Sequence, residues 1–236
     1  MPKRKNLFGY FLINYLKKGE EKNFRWKNST ITEKSTNLKG SNLLKNKSVF
    51  FTIKGGALVN LGNEYLKIVQ ERFQSIKSLG DKTISQLSEK DIHWKYNETS
   101  NSVSIVVKHL SGNMISRWSD FLTTDGEKAS RNRDQEFVDD RTSKQEMIII
   151  WEKGWNILLD TLKGLETQDL LKKITIRGER HTVIEAIERQ MAHYSYHVGQ
   201  IVYIGKLIKN VNWETLSISI GKSEEYLQYK LKKHRS

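Results

Sequence analysis

Residues 182–209 read TVIEAIERQMAHYSYHVGQIVYIGKLIK, and this stretch decides the fold. Thr182 followed by Glu185 is a capping box: the hydroxyl accepts from the backbone of the third helical residue while the carboxylate reaches back to the cap. No proline interrupts the stretch, so the spacing predicts one helix running to about Lys209. From Val198 to Ile208 nearly every position except Gln200 and Lys206 is apolar, which predicts a buried central helix. On the same helix His193 and His197 stand four residues apart. Their side chains leave one face about one turn apart, close enough for two imidazoles to share an ion.

Working outward, Ser143 and Glu146 offer a second capping box, opening a helix over 143–165 with Ile148, Trp151, Trp155, Leu158, Leu162 and Leu165 on its apolar side. An earlier helix is expected over 102–122, striped by Val103, Val106, Val107, Leu110, Met114, Trp118 and Phe121. The first is expected over 63–79, with Gly80 as its C-cap. Residues 123–141 read as a long charged loop, 174–176 as a short extended connection, and 210–236 as a polar tail over one end. Four helices of similar length around one core predict an all-α four-helix bundle, with a long connection between the second and third helices.

The chain has 236 residues and no cysteine. Disulfides and thiolate ligands are therefore excluded, any metal must sit on imidazole or carboxylate, and any thiol must come from outside. A chain without cysteine also fits a reducing, cytoplasmic setting. No apolar run approaches the roughly 20 residues of a membrane span, and Leu7 to Leu16, interrupted by Asn14 and followed by Lys17 and Lys18, reads as neither signal nor anchor.

The formal charge of +13 is unevenly placed. Residues 1–58 hold 13 Lys and Arg against Glu20, Glu21 and Glu33, leaving 27 basic and 24 acidic residues, a net of +3, for 59–236. The basic segment is low in apolar residues and is expected to be a disordered extension, and nucleic-acid binding is not expected of the balanced main domain. Lys54-Gly55-Gly56 can be encoded as a purine-rich ribosome-binding sequence and Val59 by GTG, so the extension reads as an upstream region translated in frame. The codons of the gene test this.

An H-x-x-x-H pair alone is weak evidence for a metal, since such pairs also end up exposed or satisfied in a core. His109, at the border of the apolar stripe on the second helix, strengthens it. One histidine from that helix and two from the fourth would place three imidazoles between facing helices. The alternative is three unrelated core histidines, each with its own hydrogen bond. Asn113 and Arg117, one and two turns beyond His109, are candidate pocket residues, and Gln200 is positioned to hydrogen-bond a ligand. His93, His181 and His234 read as ordinary loop residues, and Tyr194 and Tyr196 as packing residues. No acidic residue stands at ligand spacing beside His193 and His197, which disfavours a carboxylate-rich di-iron centre.

A helical His109, the long charged loop, and His193-x-x-x-His197-x-x-Gln200-Ile201 together resemble the DinB-like superfamily, the damage-inducible, YfiT-like group of metalloenzymes. Lys108 to Met114, Leu122 to Lys128, Arg131 to Asp134 and Trp213 to Ile218 look like an uncharacterised bacillus-type branch of it. The tail departs from that pattern in lacking a proline near Ser219. The resemblance covers about Asn60 to Tyr226. It implies an up-down-down-up bundle, often a homodimer, with a divalent ion on His109, His193 and His197. It also implies thiol-dependent chemistry, with an external low-molecular-weight thiol as co-substrate. Zinc and nickel are the leading choices for three imidazoles, which also accept iron and manganese.

A metal-dependent thiol S-transferase acting on a small molecule is therefore the leading expectation. A metal-dependent hydrolase using the same open position comes second, and a non-enzymatic, stress-related binding protein third.

Overall fold

A computed structural model describes residues 61–234, together with Arg25–Trp26 and Ser29–Thr30 of an N-terminal unit that ends at Asn60. Those two short strands, β1 (Arg25–Trp26) and β2 (Ser29–Thr30), pair antiparallel. The rest of the basic extension, with Lys54 to Val59, lies outside the described residues.

The second unit is mainly helical. Its long helices are α1 (Leu61–Gln86), α2 (Val103–Trp118), α3 (Lys144–Gly164) and α4 (Val183–Lys209), followed by the shorter α5 (Ser223–Lys233). Helix α2 packs against α3 and α4, and α1 against α4 and α3, so one core lies among the four. Phe73, Leu110, Met114, Trp118, Trp155 and Tyr194 fill it, all almost fully shielded from solvent. Burying an apolar side chain of this size stabilises by about 1.5–3 kcal/mol.

Polar side chains start the helices where the sequence places them. Ser102 accepts from the Ile105 backbone N–H at the start of α2. Ser143 with Glu146, and Thr182 with Glu185, complete both bonds of their capping boxes on α3 and α4. A cap of this kind contributes about 1 kcal/mol.

Three expectations change. Helix α1 does not stop at Gly80 but continues to Gln86, with Thr83 and Ile84 carrying its buried face onward. Gly80 serves packing instead, because a Cβ there would lie 2.5 Å from Cζ2 of Trp151. The second half of α4 is not buried all round: Val198, Ile201 and Gly205 face the core while Tyr203 (64 % exposed) and Leu207 (47 %) face outward. The main packing partners of α4 are α1 and α2. The tail, in turn, is not all irregular. Glu214 exchanges two backbone hydrogen bonds with the Gln86 side chain, tying the tail to the end of α1, and the chain then forms α5, none of whose residues is buried.

The extended connection at 174–176 belongs to a hairpin, β3 (Lys173–Ile176) with β4 (Glu179–Thr182), in which Ile174 and Ile176 point into the core. Its turn, Arg177-Gly178, has φ of 56° and 77°, the left-handed pair that a tight hairpin needs. Asp125, in the long loop before α3, accepts from both turn N–H groups at 2.8 and 2.9 Å, and the Gly126 N–H donates to the Thr175 carbonyl at 2.8 Å. The charged loop is thus pinned to the hairpin. None of the described helices is long and apolar enough to cross a membrane.

Candidate metal centre

His109 projects from the middle of α2, with His193 and His197 facing it from α4. Helical geometry puts the latter two one turn apart, and the α2–α4 packing brings His109 between them. Nε2 of His109 lies 3.4 Å from Nε2 of His193. The ring centroids of His109 and His197 are 4.8 Å apart, and those of His193 and His197 4.7 Å. One nitrogen from each ring falls within 4.8 Å of the others, close enough for the three to hold one metal ion. Nitrogens on a tetrahedral ion at 2.0–2.1 Å are roughly 3.3–3.4 Å apart, so the first pair already has the required spacing.

The rings are oriented from behind. Glu136, from a short 3₁₀ turn (Asp134–Phe137) in the long loop, accepts from Nδ1 of His109 at 2.9 Å. Arg131 grips the same carboxylate with two donors, each at 2.8 Å. Burial pushes the Glu136 carboxyl up, but the bonds from His109 and Arg131 outweigh it and hold the group below the usual carboxylate range. Glu136 is therefore ionised and can only accept. His109 thus donates from Nδ1, and its Nε2 is the nitrogen that faces the other histidines. Gln200 does the same for His197, its Oε1 accepting from Nδ1 at 2.9 Å. Burial, then the neighbouring His197 and His109, push His193 down to about 3. Burial also lowers His197, against the opposing hydrogen bond to Gln200. Both are neutral near pH 7, the form that binds metal. The donor set fits a metal ion, with Glu136 and Gln200 orienting two of its three rings.

A pocket of about 320 Å³ opens over the three rings, within the range of small-ligand sites. Of the expected pocket residues, Asn113 and Arg117 line it. Gln200 does not; it sits behind His197. Phe137 forms part of the wall, its ring 4.8 Å from that of His109. No Asp or Glu lines the pocket. Tyr194 is fully buried as expected, and its hydroxyl also accepts from Nε1 of Trp118 and donates to Oδ1 of Asn113, each at 2.9 Å. Tyr196 packs its ring on that of His197, centroids 4.9 Å apart, while staying 63 % exposed on the outer side of α4. His93 and His181 lie apart from the pocket, bound to Thr142 and Asp139 and beside Glu179 respectively, and His234 caps the end of α5.

Sequence reasoning missed Glu136, Arg131 and Phe137. Each sits in a loop without period, where nothing local says which charges fold inward. Gly112, one turn from His109, is the one signal in retrospect: a Cβ there would lie 2.1 Å from Oε1 of Glu136.

Among curated proteins none matches this chain. The family model described as "Protein of unknown function (DUF1572)" matches residues 60–222, which include all three histidines and Glu136, and the chain belongs to that family.

Proposed function

We propose that this protein is a divalent-metal-dependent enzyme, a transferase that joins an external low-molecular-weight thiol to a small electrophile. The observation that carries the reading is the convergence of three imidazoles, two with their Nδ1 atoms held by acceptors, beneath an open pocket. A divalent ion held there supplies Lewis acidity and an open position at which a thiol or a water loses its proton more readily.

The chain's own residues do the rest. Glu136 and Gln200 fix ring orientation, Arg131 keeps Glu136 ionised, and Phe137 shields one side of His109 from water. The lack of a carboxylate in the pocket wall favours thiol transfer over hydrolysis. A thiolate is itself the nucleophile, whereas a hydrolase gains from a nearby general base. Zinc is the metal that best suits three imidazoles with one position left open.

The DinB-like reading of the fold, an up-down-down-up bundle, is supported by the packing of α1 on α4 and of α2 on α3. Homodimer formation is supported by the outward Tyr203, Leu207 and Val211 (88 % exposed) at the end of α4.

The test is turnover by metal-loaded protein offered a bacillithiol-type thiol with an electrophile, beside ester and amide substrates. Thiol-dependent conjugation that disappears on chelation is expected. Metal-dependent ester or amide cleavage without any conjugation overturns the transferase reading.

A further inference from the structure

Five arginines, 117, 131, 133, 177 and 189, line the pocket over the histidines, and no acid does. The carboxylates close to them are Glu127, Glu136 and Asp125, the last of which accepts from the backbone N–H groups of Arg177 and Gly178. Glu136 is taken up by His109 and Arg131. Glu127 alone is shared among Arg117 at 3.6 Å, Arg131 at 3.3 Å and Arg177 at 3.1 Å. The pocket therefore carries an excess of positive charge before any metal is added.

Arg117 shows this most sharply. Its side chain is 3 % exposed, yet Nε and Nη1 have no hydrogen-bond partner. A buried guanidinium with unfilled donors is costly, and its own fold provides no second acceptor. Nη1 occupies space that exists because residue 126 is glycine: a Cβ there would lie 2.7 Å from it. At the exposed rim, Arg133 lies over the Phe137 ring at 5.0 Å, and Arg189 stands one turn before His193 on α4. Neither has a carboxylate within ion-pair distance among the described residues. Arg117, its two unfilled donors shielded in the pocket wall, and Arg133 and Arg189, unpaired at the rim, surround the approach to the histidines.

We propose that this pocket binds a small organic polyanion, with carboxylate or phosphate groups held by Arg117, Arg133 and Arg189 and its reacting end over the three histidines. A guanidinium fork matches either oxyanion with two parallel hydrogen bonds. The inference rests on the metal-enzyme reading for the place of the reacting end. The anion site itself is built from the chain alone.

The test is calorimetric titration of full-length protein, metal-loaded and metal-stripped, with succinate, glycerol phosphate and the neutral succinamide. Succinate or glycerol phosphate should bind, succinamide should not, and raising the salt concentration should weaken binding. Preference for succinate assigns carboxylate substrates, and preference for glycerol phosphate assigns phosphorylated ones. Arg189→Gln and Arg133→Gln, both at exposed positions that tolerate change, should each weaken binding about tenfold, as expected for a lost charge-assisted pair. Arg117→Gln should weaken it at least as much. Equal binding of succinamide, binding of neither anion, or unchanged affinity in all three variants overturns the proposal. Metal content of the same samples separates the two readings: anion binding by a chain that takes up no metal keeps this inference and contradicts the metal reading.

Discussion

Nδ1 of His109 and Oε2 of Glu136 lie 2.9 Å apart, joining the middle of α2 to the long loop before α3. The bond decides which ring nitrogen of His109 is free. An ionised acceptor holds a proton on Nδ1, so the nitrogen left to bind a metal is Nε2, on the side of His193 and His197.

Glu136→Gln keeps the shape but removes the charge and allows the amide to present a donor. Metal affinity should fall by about 10–100-fold, the usual cost of losing an orienting carboxylate. Competition with a chelator of known affinity measures it. An unchanged affinity would mean that Glu136 serves Arg131 alone.

Gly112→Ala should damage the same site without touching a histidine. The new methyl would lie 2.1 Å from Oε1 of Glu136, whose carboxylate is held by Arg131 and cannot swing away freely. A drop in metal affinity comparable to that of Glu136→Gln is expected. Gly164→Ala, where a Cβ meets nothing within 4 Å, is the control.

Tyr194→Phe removes the hydroxyl bridging the Trp118 indole and Asn113, leaving a buried donor and a buried acceptor without it. The expected loss is about 1–3 kcal/mol, read from urea unfolding at constant m-value. Unchanged stability would show that the Trp118–Tyr194–Asn113 chain holds nothing together.

The loop that carries Glu136 should give stability an acid-dependent part. Asp140 is held down to about 2, first by the Thr142 hydroxyl and then, against burial, by Lys108. A carboxyl depressed on folding stabilises above its unfolded pKa, and that contribution is lost as pH falls through the folded value. The stability difference between the wild type and Asp140→Asn should therefore be full above about pH 4 and vanish towards pH 2. A difference independent of pH would contradict this.

The helices were legible because their signals are local. Ser143 with Glu146, and Thr182 with Glu185, announce two starts, and the stripes through Val107, Leu110 and Met114 or Trp151, Trp155 and Leu158 announce the faces. Gly80 misled because a glycine at a helix end and one under an indole look alike in one dimension; only Trp151, seventy-one positions away, tells them apart. The α4 face bearing Tyr203 and Leu207 misled because apolar composition says what can be buried, not whether a neighbour exists. The three histidines were findable by spacing and stripe. Arg117 was legible from its place two turns beyond His109, but Glu136, Arg131 and Arg133 were not, since they reach the site through a loop pinned by Asp125 to the hairpin turn at Arg177-Gly178, a contact between distant, aperiodic segments.

The most direct test of the central claim is elemental analysis of untagged protein beside a His109→Ala variant, both checked for native helix content. About one divalent ion per chain is expected in the wild type and essentially none in the variant, since two adjacent imidazoles alone hold an ion poorly. Equal metal content in the two, or none in either after exposure to zinc and nickel, would contradict it.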